Sequence, residues 1–129
     1  EAGADVIIGH HPHVIQRPAI YAGRPIFFSI GNLLMRQVTD KPWTGFGALA
    51  KVTLPADGGP IRAALCPFRI HGFEPVPLTA DAKRPQVKAL LRHELQRLVR
   101  QGAITEPDSA VALEPFDADG CAAITPAPR

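Results

Sequence analysis

The stretch that decides the fold spans residues 5–14 and reads DVIIGHHPHV. Its first half, from Asp5 to Gly9, is short, β-branched and apolar, which is the pattern of an interior strand with both faces covered. Its second half places three of the chain's five histidines within four residues. Open α/β sheets bind ligands at the carboxyl ends of their strands. This order of residues therefore predicts a histidine-bearing turn at a ligand site.

The three histidines of this turn, His10, His11 and His13, are candidate metal ligands. Neutral imidazole is the commonest metal ligand among protein side chains. In an extended turn alternate side chains share a face, so His11 and His13 are expected to converge, with Pro12 fixing the backbone between them. The alternative is a surface turn in which histidines cluster without a function. Two histidines alone do not complete a metal site, which needs further ligands.

Two β-hairpins are predicted after the turn. The first joins an extended segment at residues 14–21 to a strand at 26–30, through a turn at 22–25 that contains Gly23. The second joins strands at 46–54 and 61–70 through a turn at 55–60 that is rich in proline and glycine. Residues 36–45 are predicted to form a loop, and residues 71–78 a connection interrupted by prolines.

The clearest helical pattern runs from Pro85 to Arg100 and ends before Gly102. Its apolar residues recur at helical spacing, which predicts an amphipathic helix: Val87, Leu91, Leu95, Leu98 and Val99. His93 lies within it and is expected to be a surface or packing residue. Residues 105–129 are dominated by proline, alanine and aspartate without periodicity, so they are predicted to be an irregular tail.

Composition limits the classes of function. With 129 residues the chain is one domain or part of one. A formal net charge of +2 is too small to indicate a nucleic-acid partner. No stretch is long and apolar enough to cross a bilayer. Cys66 and Cys121 lie far apart and are either free thiols or one disulfide. The opening residues, EAGAD, are typical of a helix end followed by a strand, so we expect the C-terminal part of a longer protein.

A second motif, GRPIFFSIGN at residues 23–32, follows the histidine turn. Together with residues 3–14 it resembles the CapA family of capsule or poly-gamma-glutamate biosynthesis proteins. In that family a Gly-His-x-Pro-His turn precedes a hairpin that ends in Ser-Leu-Gly-Asn-Phe. The likeness covers roughly the first quarter of the chain. The sequence then departs from the family pattern, with Leu33 in place of an aromatic residue and Arg36 where an acidic residue is often found.

This resemblance implies a fold. The family looks like a branch of the calcineurin-like metallophosphoesterases, which are β-sandwiches flanked by helices. The implied class is α/β, or an α+β-like fragment: the C-terminal part of such a sandwich, with two β-hairpins and a C-terminal amphipathic helix. The expected divisions are the metallophosphoesterase part at 1–78, the packing helix at 79–104 and the irregular tail at 105–129.

The resemblance also implies roles for particular residues. His13 and His11 would be ligands of a two-metal centre of divalent ions (Mn, Fe, Zn or Mg), and His10 a catalytic residue. Asn32 and Ser29 would line the substrate or hold a ligand histidine; the alternative is a simple Gly-Asn turn. His71 could approach a bound ligand. The superfamily's Asp-x-His, Gly-Asp and Asn-His motifs are missing from this sequence, so the chain alone is not expected to be catalytic.

The function implied is metal-dependent phosphoester hydrolysis in capsule or poly-gamma-glutamate assembly. The expected partners are an anionic polymer or phosphoester substrate and the capsule-synthesis machinery, without nucleic acid. The expected location is the cell envelope or its outer face, with an anchor in a preceding segment. Two alternatives stay open. The fold could serve polymer assembly without hydrolysis, or the histidine turn could hold one structural metal.

Overall fold

A computed structural model describes residues 2–35, 42–78 and 111–126, which form two β-sheets. The small sheet contains β1 (Ile7–Ile8), β2 (Ala19–Tyr21) and β3 (Arg24–Phe27). The large sheet contains β4 (Phe46–Thr53), β5 (Arg62–His71), β6 (Glu74–Pro77), β7 (Val111–Leu113) and β8 (Ala122–Pro126). A single 3₁₀ turn, Pro42–Gly45, precedes β4 within the described part of the chain.

The small sheet contains the first predicted hairpin. β2 and β3 pair antiparallel, from Ala19 opposite Ile26 to Tyr21 opposite Arg24. β1 runs parallel to β3 on its other side. The expectation of a strand covered on both faces is wrong: β1 lies at the edge of this sheet, and Ile7 and Ile8 are 48% and 47% exposed. Its β-branched residues set the strand conformation, whereas burial depends on neighbours that local sequence does not specify.

The large sheet contains the second predicted hairpin. β4 and β5 pair antiparallel over eight residue pairs, from Phe46 opposite Arg69 to Thr53 opposite Arg62. Both β6 and β8 pair with the opposite edge of β5. β8 pairs with its first half, at residues 63–65, and β6 with its second half, at residues 68–71. β7 then pairs with β8 and completes the sheet.

Two further expectations need correction. Glu74–Pro77, within the predicted connection, forms β6, because Gly72 takes a positive φ and closes a tight hairpin with β5. Residues 111–126, within the predicted irregular tail, form β7 and β8. Ala122 and Ile124 alternate inward and are buried there. Two inward-facing residues are too few to give a recognisable alternating pattern in a segment dominated by proline and aspartate.

The mixed α/β class is not confirmed, since the described residues are mostly β-sheet and contain no α-helix. The predicted helix from Pro85 to Arg100 lies outside the described residues, as does His93. No helix in the described ranges is long and apolar enough to span a membrane.

Both sheets contribute to one core. The small-sheet side provides Ile15 and Phe27, and the rest of the cluster comes from the large sheet and its flanking residues: Phe46, Ala48, Ala63, Leu65, Leu78 and Ile124. A backbone hydrogen bond joins the small-sheet side to the large sheet: the amide of Ala48 donates to the carbonyl of Ile30 over 2.8 Å. The segment that follows β3 is therefore fixed against the start of β4.

Candidate functional site

The histidine turn begins where β1 ends, and close backbone contacts hold its first residue. The amide of Gly9 donates to the Phe27 carbonyl over 2.7 Å, and the Ile30 amide donates to the Gly9 carbonyl over 3.3 Å. A Cβ at residue 9 would lie 2.3 Å from the carbonyl oxygen of Phe28, so only glycine fits there. The start of the turn therefore packs directly against the backbone of the last residue of β3 and the residues that follow it.

The backbone of the turn is left-handed at two histidines. His11 has φ of 93° and His13 has φ of 61°. Such conformations cost a non-glycine residue on the order of 1–3 kcal/mol and cluster at functional sites. The extended turn expected from the sequence is therefore wrong in its backbone conformation. The two side chains nevertheless lie near each other, with ring centroids 6.1 Å apart and planes tilted by 43°.

Asn32 contacts the turn directly and is 6% exposed. Its Oδ1 lies 2.7 Å from Nδ1 of His13. Its Nδ2 donates to the Thr44 carbonyl over 3.0 Å and to the His13 carbonyl over 3.4 Å. Since both carbonyls can only accept, the nitrogen of this amide must face them. The oxygen is therefore the atom that faces the imidazole.

The orientation of Asn32 assigns the tautomer of His13. An amide oxygen accepts a hydrogen bond, so His13 Nδ1 must carry the proton that it receives. In the neutral ring Nε2 is then the nitrogen with the free lone pair, and it can bind a metal ion or accept a proton. In metal sites, a hydrogen bond to the other ring nitrogen fixes both the orientation of a ligand histidine and the nitrogen that binds the metal.

Packing in the large sheet holds Asn32 in place. Gly47 of β4 forms an isolated bridge with Gly31, next to Asn32. A Cβ at residue 47 would lie 1.9 Å from the Asn32 carbonyl oxygen and 2.5 Å from Cζ of Phe68. Thr44 and Gly47 were not predicted as site residues from the sequence. The available signal was a glycine beside Phe46 in a strand interior, which is typical of a close backbone approach.

The other candidate residues occupy different positions. Ser29 is 1% exposed, and its Oγ accepts a hydrogen bond from the Gly31 amide over 3.3 Å, so it supports the backbone before Asn32 and is closed to direct substrate contact. His10 is exposed in the turn. His71 is exposed at the end of β5, paired with Glu74 across the hairpin to β6.

The metal-binding capacity of the described residues is partial. They contain no group of three or more histidine, cysteine, aspartate or glutamate side chains that could hold a metal ion. His11 and His13 together offer two imidazoles, which is half of a four-ligand set. These two imidazoles can provide part of a metal centre, and further ligands are needed to complete it.

The comparisons with known proteins concern this same region. The family described as "Bacterial capsule synthesis protein PGA_cap" matches residues 1–37, which include the histidine turn and Asn32. Residues 1–37 carry the signature of the bacterial capsule synthesis family. The resemblance to CapA proteins predicted from the two motifs is thereby confirmed for this part of the chain.

Two CapA relatives extend the similarity beyond the signature. The PGA biosynthesis protein CapA of Bacillus subtilis (strain 168) is 39% identical over 84 residues, which are 64% of this chain and 21% of that protein. The capsule biosynthesis protein CapA of Bacillus anthracis is 37% identical over 89 residues, which are 67% of this chain and 20% of that protein. The chain spans about a fifth of the length of the curated relatives that it matches.

Proposed function

We propose that this chain provides the histidine turn of a metal-dependent phosphoester hydrolase that acts in capsule or poly-gamma-glutamate biosynthesis. The observation that supports this most directly is the 2.7 Å contact between His13 Nδ1 and Asn32 Oδ1. It leaves Nε2 of His13 with the free lone pair that could bind a metal ion, in a turn whose backbone is strained at two histidines. The proposed substrate is an anionic polymer or another phosphoester, handled together with the capsule-synthesis machinery.

In this proposal His13 and His11 are imidazole ligands of divalent ions such as Mn, Fe, Zn or Mg, and the remaining ligands lie outside the described residues. The bound ions would polarise a phosphoryl oxygen and lower the pKa of a water molecule. Asn32 keeps the proton of His13 on Nδ1 and orients the ring. His10, exposed in the same turn, would meet the substrate and exchange a proton with it.

The proposed location is the cell envelope or its outer face. Cys66 and Cys121 form a disulfide. The sequence left open whether these cysteines are free thiols or one disulfide, and the structure has the disulfide. Disulfides form and persist mainly in secreted, periplasmic and surface proteins. This bond supports a proposal that the chain works outside the reducing cytoplasm.

The test compares the protein as the cell makes it with a His13→Ala variant. Bound metal is measured by atomic emission, and hydrolysis with bis(p-nitrophenyl) phosphate as the probe. We expect the variant to lose metal and at least about a hundredfold in hydrolysis. His71→Ala is the matched control, because His71 is exposed on the hairpin between β5 and β6. Equal metal content and equal activity in wild type and His13→Ala would overturn the catalytic proposal.

A second candidate function is a non-hydrolytic role in polymer assembly with the same fold. It is favoured by the fact that the described residues bring together two histidines and no third metal-binding side chain. In that case wild type binds poly-gamma-glutamate without hydrolysing the phosphodiester probe. A purely structural role for the turn would give one bound metal per chain, whereas the hydrolase proposal expects two.

A further inference from the structure

The disulfide lies where the C-terminal hairpin, β7 and β8, joins the rest of the large sheet. Cys66 is in β5, and Cys121 comes directly before β8, so the bond extends the ladder in which Leu65 pairs with Ala122. That ladder has three residue pairs, compared with eight between β4 and β5. The bond therefore reinforces a short junction, and it connects residues that are 55 positions apart.

The disulfide also borders open space on the face of the sheet that points away from the core. Cys66 pairs with Leu49, which is 56% exposed, whereas the neighbouring residue pair, Ala50 and Leu65, faces inward. A groove of about 460 Å³ runs along this outer face and is lined by Leu49, Lys51, Cys66, Phe68, Asp119 and Cys121, among others. Among the described residues, the bond therefore lies beside this groove and outside the core.

The two cysteine residues differ in exposure. Cys121 is 6% exposed, whereas Cys66 is only half-buried. Thiol–disulfide exchange needs a thiolate to approach one sulfur of the bond, so the accessible sulfur is the one attacked. Lys51 and Asp119 line the same groove, and Lys51 Nζ lies 3.9 Å from Asp119 Oδ2, so their opposite charges offset each other and give no net attraction for a thiolate. The greater exposure of Cys66 therefore makes its Sγ the expected point of attack.

We propose that the Cys66–Cys121 bond is a reaction site for an external dithiol, and that its reduction releases β7 and β8 from β5. A thiolate of the dithiol attacks Cys66 Sγ, the bond to Cys121 breaks, and Cys121 leaves as a thiolate that takes a proton from water. The second thiol of the reagent then resolves the mixed disulfide. The protein gains two thiols, and the reagent leaves as its own cyclic disulfide.

Release changes the core because the hairpin is part of it. Val111 and Ile124 are buried, and Arg17 Nη2 donates to the Val111 carbonyl. The histidine turn and Asn32 are instead held by β3, β4 and the residues between them. Reduction is therefore expected to loosen residues 111–126 while His13 keeps its contact with Asn32. This proposal does not depend on phosphoester hydrolysis.

The test treats the folded full chain with increasing dithiothreitol and counts free thiols by alkylation and mass spectrometry. Amide hydrogen exchange is then measured in peptides from residues 111–126, 46–53 and 7–30. We expect both thiols to appear without denaturant, and exchange in 111–126 to rise at least about tenfold more than in the other two regions. The double variant Cys66→Ala with Cys121→Ala should show the same pattern without any reductant.

Leu49→Ala serves as a variant of the groove itself, because it removes the exposed side chain paired with Cys66. It is expected to speed reduction severalfold without changing exchange in the oxidised protein. Thiols that appear only in denaturant would show that the bond is closed to reagents. An equal rise in exchange in all three regions would show global loosening. Unchanged exchange in 111–126 would show that the bond does not retain the hairpin. Each of these three results overturns the proposal.

Discussion

Nδ1 of His13 lies 2.7 Å from Oδ1 of Asn32, although the two residues are 19 positions apart in the chain. The same asparagine side chain donates to the carbonyls of Thr44 and His13, so its orientation is fixed by the fold. One buried amide thus connects the histidine turn, the end of the first hairpin and the 3₁₀ turn before β4. The tautomer of the neutral imidazole, with its proton on Nδ1, is a consequence of how these three segments meet.

Asn32→Ala is predicted to weaken both stability and metal binding. It removes the acceptor of His13 Nδ1 and leaves the buried carbonyl of Thr44 without this donor, which should cost about 1–3 kcal/mol of unfolding free energy. Loss of such an orienting contact typically lowers metal affinity about 10–100-fold. Urea denaturation and calorimetric titration with Mn²⁺ measure the two effects. An affinity equal to wild type would show that Asn32 does not orient a ligand.

Gly47→Ala is predicted to be strongly destabilising. The new Cβ would meet the Asn32 carbonyl oxygen at 1.9 Å and Phe68 Cζ at 2.5 Å, and the carbonyl belongs to backbone that cannot turn aside. We expect a loss of about 3 kcal/mol, at the upper end for overpacking. Gly45→Ala is the matched control, since a Cβ there meets no atom within 4 Å. Equal urea midpoints for the two variants would contradict the close approach.

The sequence predicted the local elements of the fold better than the contacts between them. The extended segments and turn residues predicted both hairpins, and the resemblance implied that Asn32 lines the substrate or holds a ligand histidine. Thr44 could not be predicted, and Gly47 could be predicted only as a point of close backbone approach, because their contacts with Asn32 arise from sheet packing between distant segments. The same holds for the pairing of Cys66 with Cys121, which requires β8 to lie beside β5. Local sequence sets an element's type and leaves its neighbours open.

His11→Gly is predicted to stabilise the fold while removing a candidate ligand. His11 has φ of 93°, and glycine adopts such a conformation without the steric penalty of a side chain. After the greater chain entropy of unfolded glycine is subtracted, we expect a gain of about 1 kcal/mol. Ala22→Gly, at φ of 49° in the turn between β2 and β3, should be stabilised similarly while keeping metal binding. A destabilised His11→Gly variant would show that the contacts of the His11 side chain stabilise the fold by more than its left-handed backbone destabilises it.

Replacing both Cys66 and Cys121 with alanine is predicted to lower stability substantially. The bond links residues 55 positions apart, and a chain-entropy estimate for that loop gives about 4 kcal/mol. Guanidinium denaturation of the oxidised protein and of the double variant measures the difference. Adding dithiothreitol should bring the wild-type midpoint down to that of the variant and leave the variant unchanged. A difference below about 1 kcal/mol would mean that the hydrogen bonds and buried side chains of β7 and β8 retain the hairpin without the bond.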